Sequence, residues 1–386
     1  MNSLTNLHLK KRSVALSAAV LALTLSVAQS PDRAGAAVNP AFTGQAMWIW
    51  QLPKTEGGSV ARIVARAKAN NISAVYVKSA DAGTRWQQFT PEVVSQLEAA
   101  GLKVCGWQFV YGARPAAEAS AGAAAKEAGA DCLIIDAESS YEGRYRSAAT
   151  YMASLRKKVG RSYPLGFTSF PYVDFHPSLP YSTFLGSGGA QVNMPQVYWR
   201  DIGTSVSTAM RHTWRENRIY GRPIVPIGQT YQSAPVADIA RFRAMAAAWE
   251  APGYSWWEWS TTSARQWAAL ASRTVSRINP GDPGWPTLRR GSKGDSVVQA
   301  QKLLRAAGNP ALKASGIYDA ATVSAVSALQ ENRGIPVDGI LGSSTWPSLL
   351  KVAAAKISAR NARADQGPVP RSASIVRDRN EIRPAG

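Results

Sequence analysis

Residues 131–143 read DCLIIDAESSYEG. An apolar run from Cys132 to Ile135 leads into Asp136 and Glu138, with one residue between the two acids. In a strand, residues i and i+2 point to the same face, about 6.5 Å apart along the chain. Asp136 and Glu138 therefore face one way at the C-terminal end of an otherwise apolar strand. Either the two acids cap the next helix or pair with Arg144 or Arg146, or the strand delivers two carboxylates to an active site.

Working outward, short apolar strands alternate with amphipathic helical stretches from residue 46 to about 270. The strand candidates are 46–52, 74–80, 102–110, 132–138, 164–170, 192–199, 223–231 and 254–260. Between them lie helical patterns such as PEVVSQLEAAG and VADIARFRAMAAAWE. Several begin at Ser or Pro and stop at Gly or Asn, which is ordinary helix punctuation. Such alternation implies a parallel sheet covered by helices. Eight repeats over about 225 residues fit an α/β (β/α)8 TIM barrel. The structural alternative is an open doubly wound sheet. That fold usually carries a Gly-rich phosphate loop after its first strand, and none follows MWIWQL.

The expected organisation is a signal peptide over 1–36, the barrel over 44–274, a Pro/Gly linker over 275–286, a three-helix all-α unit over 287–351 and a basic, disordered tail over 352–386. Lys10, Lys11 and Arg12 precede SVALSAAVLALTLSVA, which is followed by small residues, the layout of a secretory leader. Export makes nucleic acid an improbable partner and leaves no transmembrane span after cleavage. In the helical unit, two loops share a pattern: Gly316-Ile317-Tyr318-Asp319-Ala320-Ala321-Thr322 against Gly339-Ile340-Leu341-Gly342-Ser343-Ser344-Thr345.

Over its 386 residues the chain carries a formal net charge of +19. Such a balance favours polyanionic partners, including anionic wall polymers. Cys105 and Cys132 are the two cysteines, both in predicted strands. Export permits a disulfide, and two buried free thiols fit the sequence equally well. His8, His176 and His212 are isolated along the chain, so no metal site and no cofactor is expected.

The 287–351 unit resembles the peptidoglycan-binding-like domain family. The resemblance rests on LRRGSKGDSVVQAQKLL, on ATVSAVSALQENRGIPVDGILGSSTW and on the paired Gly-Ile turns, and it implies wall attachment. Ser315 and Asp319 depart from the family pattern, whereas Val337-Asp338-Gly339-Ile340 keeps it. The barrel resembles glycoside hydrolases, nearest to the family 25 lysozymes. Lys78-Ser79-Ala80-Asp81 stands where that family has a Lys-small-small-acid segment, and Asp136-Ala137-Glu138 where it has an Asp-x-Glu pair. Its strand-one Asp is replaced by Trp50-Gln51, and its late acid could only be Glu258 or Asp201. Chitinase-like family 18 barrels are similar at Asp131, Asp136 and Glu138, with Ile134 replacing a middle Asp.

Glycoside hydrolysis needs a proton for the leaving oxygen and stabilisation of positive charge on the sugar. Glu138 is accordingly the candidate general acid, with Asp136 holding it or stabilising a substrate acetamido group. Aromatic residues at predicted strand ends (Trp50, Trp107, Tyr172, Tyr198, Trp199, Trp257 and Trp259) suit the apolar faces of sugars. Lys78, Gln108, Gln196, Gln229 and Glu258 are the candidate polar contacts. The expected protein is a secreted, wall-associated monomer that binds peptidoglycan or a related N-acetylated glycan and cleaves its glycosidic bonds. The rival is a non-catalytic binder with a degenerate hydrolase-like barrel, favoured by the missing strand-one acid.

Overall fold

The computed structural model describes residues 37–365, with side chains to residue 360; the leader at 1–36 and the end of the basic tail, 366–386, lie outside them. In chain order the strands are β1 (Gly44–Ile49), β2 (Ala74–Asp81), β3 (Thr84–Arg85), β4 (Lys103–Val110), β5 (Cys132–Ala137), β6 (Leu165–Ser169), β7 (Val192–Pro195), β8 (Ile227–Gln229) and β9 (Gly253–Trp257). Eight of them pair in parallel in the order β7-β6-β5-β4-β2-β1-β9-β8, and the two-residue β3 folds back antiparallel on β2. Bridges Asn193↔Ile224 and Gln196↔Ile227 join the two ends of that order, so the sheet closes on itself. This is the expected barrel and not an open sheet. All eight expected strands are present; only β3 was not anticipated.

Helices cover the outside, and their starts follow side-chain chemistry. The Thr90 side chain accepts from Val93 N ahead of Pro91–Ala99, and Ser205 accepts from Thr208 N ahead of Val206–Asn217. Ser263 and Gln266 form a reciprocal capping box on Ala264–Ala271. Each satisfies backbone N–H groups that a helix start leaves unpaired.

Strand parity sorts the side chains into two cores. One set faces the barrel axis: Ala46, Trp48, Ala74, Tyr76, Cys105, Trp107, Cys132, Ile134, Met194 and Ile227 pack together there. Residues of opposite parity, such as Val75, Val104 and Trp256, pack under the helices. Cys105 and Cys132 are register partners on β4 and β5, with Cα atoms 4.6 Å apart, and they form a disulfide inside the barrel. Adjacent parallel strands thus bring the two cysteines within bridging distance.

The helical unit comprises Asp295–Ala307, Ala320–Arg333 and Thr345–Asp365. Its two matching turns are held by matching amides. Gln301 Oε1 accepts from Gly316 N at 2.9 Å, while its Nε2 donates to Ile317 O at 2.9 Å and Thr322 Oγ1 at 3.0 Å. Gln330 repeats this with Gly339 N at 2.9 Å, Ile340 O at 3.1 Å and Thr345 Oγ1 at 3.1 Å. Gly316 and Gly339 have φ of 75° and 68°, a region that glycine enters without the cost of a Cβ.

The third helix corrects the expected tail. Residues 352–365 are helical, because Val352 and Ala353 continue the buried series Trp346 and Leu349 and the following Ala, Lys and Arg residues favour helix. Among the described residues no helix is long and apolar enough to cross a membrane.

Barrel and helical unit share one hydrophobic core, which includes Tyr181, Ile219 and Tyr220 beside Val297, Ala300 and Leu304. At their junction Asp295 is buried and accepts from Ser182 N at 2.7 Å, Ser182 Oγ at 2.6 Å and Tyr220 Oη at 2.8 Å. The intervening stretch is strapped down as well: Arg218 pairs with Asp282 at 2.7 Å and lies 3.7 Å over the Trp285 ring.

Replacing both Cys105 and Cys132 by Ala is expected to lower stability by about 2–4 kcal/mol, the usual effect of losing a bridge across a loop of this size. Denaturant unfolding of the double variant against the parent measures it, and an unchanged midpoint would show that the bridge contributes nothing.

Candidate active site

β5 delivers its two acids where its pattern predicts. Ile134 points to the barrel axis, so Asp136 and Glu138, two and four residues on, share that inward parity at the C-terminal mouth. Asp136 is buried and Glu138 half-buried. Both meet one amide: Gln196 Nε2, just past β7, donates to Asp136 Oδ1 at 3.2 Å and to Glu138 Oε1 at 3.0 Å. Among the described residues no arginine pairs with either acid. Arg144 and Arg146 therefore do not neutralise them, and the ion-pair explanation for the acids is removed.

Burial pushes the Asp136 carboxyl well above its ordinary range, and the Glu138 charge pushes it further; Lys78 and the Gln196 hydrogen bond oppose the shift. The Tyr198 phenol is also raised, first by burial, then by Tyr231 and the two acids, so it stays protonated and able to donate. Lys78, inward-facing on β2, pairs with Asp81 at 2.6 Å, and its ammonium lies 4.6 Å from the ring centroids of both Trp86 and Trp107. Below the acids, Trp48, Trp107 and Trp257 meet edge to face, with centroids 5.4–5.7 Å apart. Trp50 stands 45% exposed at the rim, 6.5 Å from Trp257. The mouth thus offers two carboxyls, an amide, a phenol and an ammonium over an aromatic floor.

Other expected contacts lie elsewhere. Gln108 is fully buried on the outward face of β4, where its Nε2 donates to Ala82 O and Glu118 O and its Oε1 accepts from Tyr151 Oη. It is a structural amide, and its parity, opposite to that of Trp107, accounts for this. Glu258 is buried and accepts from Ser260 Oγ at 2.6 Å. Gln229 faces inward but is buried, its Oε1 accepting from Arg200 N at 2.7 Å. Tyr172 stacks on His212 at 3.8 Å, and no described contact joins it to Asp136 or Glu138. Of the expected aromatic rim, Trp107, Tyr172, Trp199 and Trp259 are buried, Tyr198 and Trp257 half-buried, and Trp50 exposed. Asp131 sits at the opposite end of β5, held by Lys103 at 2.8 Å and Val104 N at 2.9 Å, so it has no part in the site. Asp201 is engaged by Tyr231 and Gln232.

Two features escaped the sequence. Glu118 is buried and accepts from four consecutive backbone N–H groups, Tyr111 to Arg114, at 3.0–3.2 Å, fixing the loop after β4. Its place one turn into a Pro-started helix was the available signal. Asp174, His212 and Glu216 each offer a ligand atom within 4.8 Å of the others, a grouping that the 38-residue gap between Asp174 and His212 conceals. There, however, His212 Nε2 already meets both Asp174 oxygens and Arg215 donates to Glu216 Oε1 at 2.8 Å, so each of the three side chains is already engaged.

Residues 293–349 match the family described as "Putative peptidoglycan binding domain". An N-acetylmuramoyl-L-alanine amidase, CwlL, from Bacillus licheniformis is 41% identical over 88 residues, 22% of this chain and 24% of that protein. The chain thus spans about a quarter of the length of that curated relative. Among solved structures, a chitinase from Chromobacterium violaceum superposes with a TM-score of 0.43 at 11% identity, over 59% of this chain and 98% of that one. The spore cortex-lytic enzyme SleL of Bacillus cereus gives 0.41 at 11% identity, over 61% and 76%. A class V chitinase from Nicotiana tobaccum gives 0.46 at 8% identity, over 59% and 97%.

Asp136 makes a directional prediction. Below the ordinary carboxylate pKa of about 3.9, folded and unfolded chains both hold its proton and it contributes nothing. As pH rises, the unfolded chain ionises first, so stability falls until the folded carboxyl also ionises. Asp136→Asn should therefore match the parent near pH 3 and exceed it increasingly from about pH 4 upward. Paired denaturant melts across pH check this; a variant less stable at neutral pH than at pH 3, relative to the parent, would contradict it.

Proposed function

We propose that the chain is an exported, wall-associated glycoside hydrolase that cleaves glycosidic bonds in peptidoglycan or a related N-acetylated glycan. The observation that carries this reading is the carboxyl pair Asp136 and Glu138, joined through Gln196 at the aromatic-floored mouth of the barrel. Barrel enzymes place their chemistry at that end. The pair shares a proton that burial holds at Asp136; Glu138, the more exposed of the two, reaches the leaving oxygen and passes that proton to it, while Asp136 holds Glu138 or an acetamido oxygen by a hydrogen bond. The Tyr198 phenol is a donor for the same carbonyl, and Trp50 and Trp257 offer faces to the sugar. The peptidoglycan-binding match at 293–349 supports the choice of polymer. With the helical unit fixed to the barrel, a second contact would keep the mouth close to its glycan. The leader pattern of residues 1–36 supports export, and the basic surface would add salt-sensitive attraction to anionic wall polymers.

A second reading keeps the glycan and drops the cleavage. The absence of an acid at the end of β1, where Trp50 and Gln51 stand, and the burial of Glu258 favour it.

Release of reducing ends from purified peptidoglycan by wild type and by Glu138→Gln separates the two. Loss of a general acid–base group lowers turnover by about 10²–10⁴-fold, while pelleting with wall material should be unchanged. No release by either protein, with pelleting by both, would leave the binding reading in place.

A further inference from the structure

A cavity of about 640 Å3 lies between the barrel and the helical unit. The barrel supplies Tyr145 and Pro177 to its wall, and the helical unit supplies Lys293, Val298, Lys302 and Ser315. Its size falls within the range of about 300–1,000 Å3 common to small-ligand sites, and it shares their makeup of apolar walls with a few polar groups.

Its charge is one-sided. Two lysines line it and no acidic side chain does. The nearest buried acid, Asp295, is taken up by Ser182 and Tyr220. Lys293 is exposed and makes no ion pair among the described residues. Lys302 is half-buried and donates to Ser182 O at 3.0 Å and Ser182 Oγ at 3.1 Å. An ammonium has three N–H donors, so one remains unused beside the cavity. Burial holds this amine below its usual pKa, with Asp295 opposing; an anion placed here would meet a cation already stripped of much of its water.

We propose that this junction binds a carboxylate carried on an N-acetylated sugar, with Lys293 and Lys302 reading the carboxylate and the Tyr145 ring and Val298 covering the sugar's apolar face. The site needs both bodies, since neither the barrel nor the helical unit alone encloses it. Recognition there would distinguish the acidic from the neutral sugar of a wall glycan, a discrimination that the acid-lined barrel mouth is poorly suited to make. The proposal rests on the wall-glycan part of the reading above and is independent of cleavage.

The test titrates the full chain with N-acetylmuramic acid and with N-acetylglucosamine, which differ by the lactyl carboxylate, using calorimetry or ligand-observed NMR. The acidic sugar is expected to bind and the neutral one to bind about tenfold or more weakly. Lys293→Glu, at an exposed position, should weaken binding of the acidic sugar by about tenfold or more, as should Lys302→Met. Glu138→Gln should leave it unchanged. If Lys302→Met fails to fold, Lys293→Glu decides the matter alone. Equal binding of the two sugars, undiminished binding by Lys293→Glu, or loss on Glu138→Gln would overturn the proposal. Peptidoglycan cleavage that persists in Lys293→Glu would leave the barrel reading intact whichever way this site is decided.

Discussion

Two carboxyls on one strand face, two residues apart, cannot both shed their protons freely where little water reaches them. Asp136 and Glu138 are in that position, and the Gln196 amide, donating to both, is what the barrel provides to hold them together. Much of the local architecture answers to this constraint. β5 is apolar up to the acids, so one carboxyl is buried and the other half-buried. Lys78 brings a positive charge close enough to offset part of the repulsion, and is itself wedged between two indoles. The result is one acid whose proton affinity is raised beside another that reaches solvent. Pairs whose environments push their proton affinities apart suit acid–base chemistry.

The scaffold makes this arrangement affordable by rigidity elsewhere. The Cys105–Cys132 bridge ties β4 to β5 beneath the acids. Glu118 locks the loop after β4 with four backbone hydrogen bonds, and Gln108 links β4 itself to the covering helices. The helical unit does not hang from a loose tether: Asp295, the Trp285–Arg218 stack and a shared core seat it on the barrel. A fixed seat sets a fixed direction between the helical unit and the barrel mouth.

The barrel, its eight strands and most helix starts were legible because period, punctuation and apolar runs are local signals. The pair Asp136 and Glu138 was legible for the same reason, since spacing within one strand fixes a shared face. Gln196 and Tyr198 were found by their place at a strand end, and they carry inward parity from Met194. Gln108 failed on that same criterion: it sits near a strand end, but on the face turned to the helices, where backbone and side-chain partners satisfy it. Counting parity from Trp107 would have excluded it. Tyr172 and the Asp174–His212–Glu216 group depend on how a loop packs against a helix far along the chain, which no local pattern encodes. The helix through 352–365 was missed because its apolar contacts are two small residues in a run of alanines and bases.

The account turns on whether the two acids feel one another. Carbon-13 NMR titration of the carboxyls, in the parent and in Glu138→Gln, measures this directly. The parent should show the Asp136 carboxyl titrating well above the ordinary carboxylate range, and removal of the Glu138 charge should move that midpoint down while burial keeps it above ordinary. An Asp136 midpoint in the ordinary range, or one indifferent to Glu138, would contradict the shared-site account.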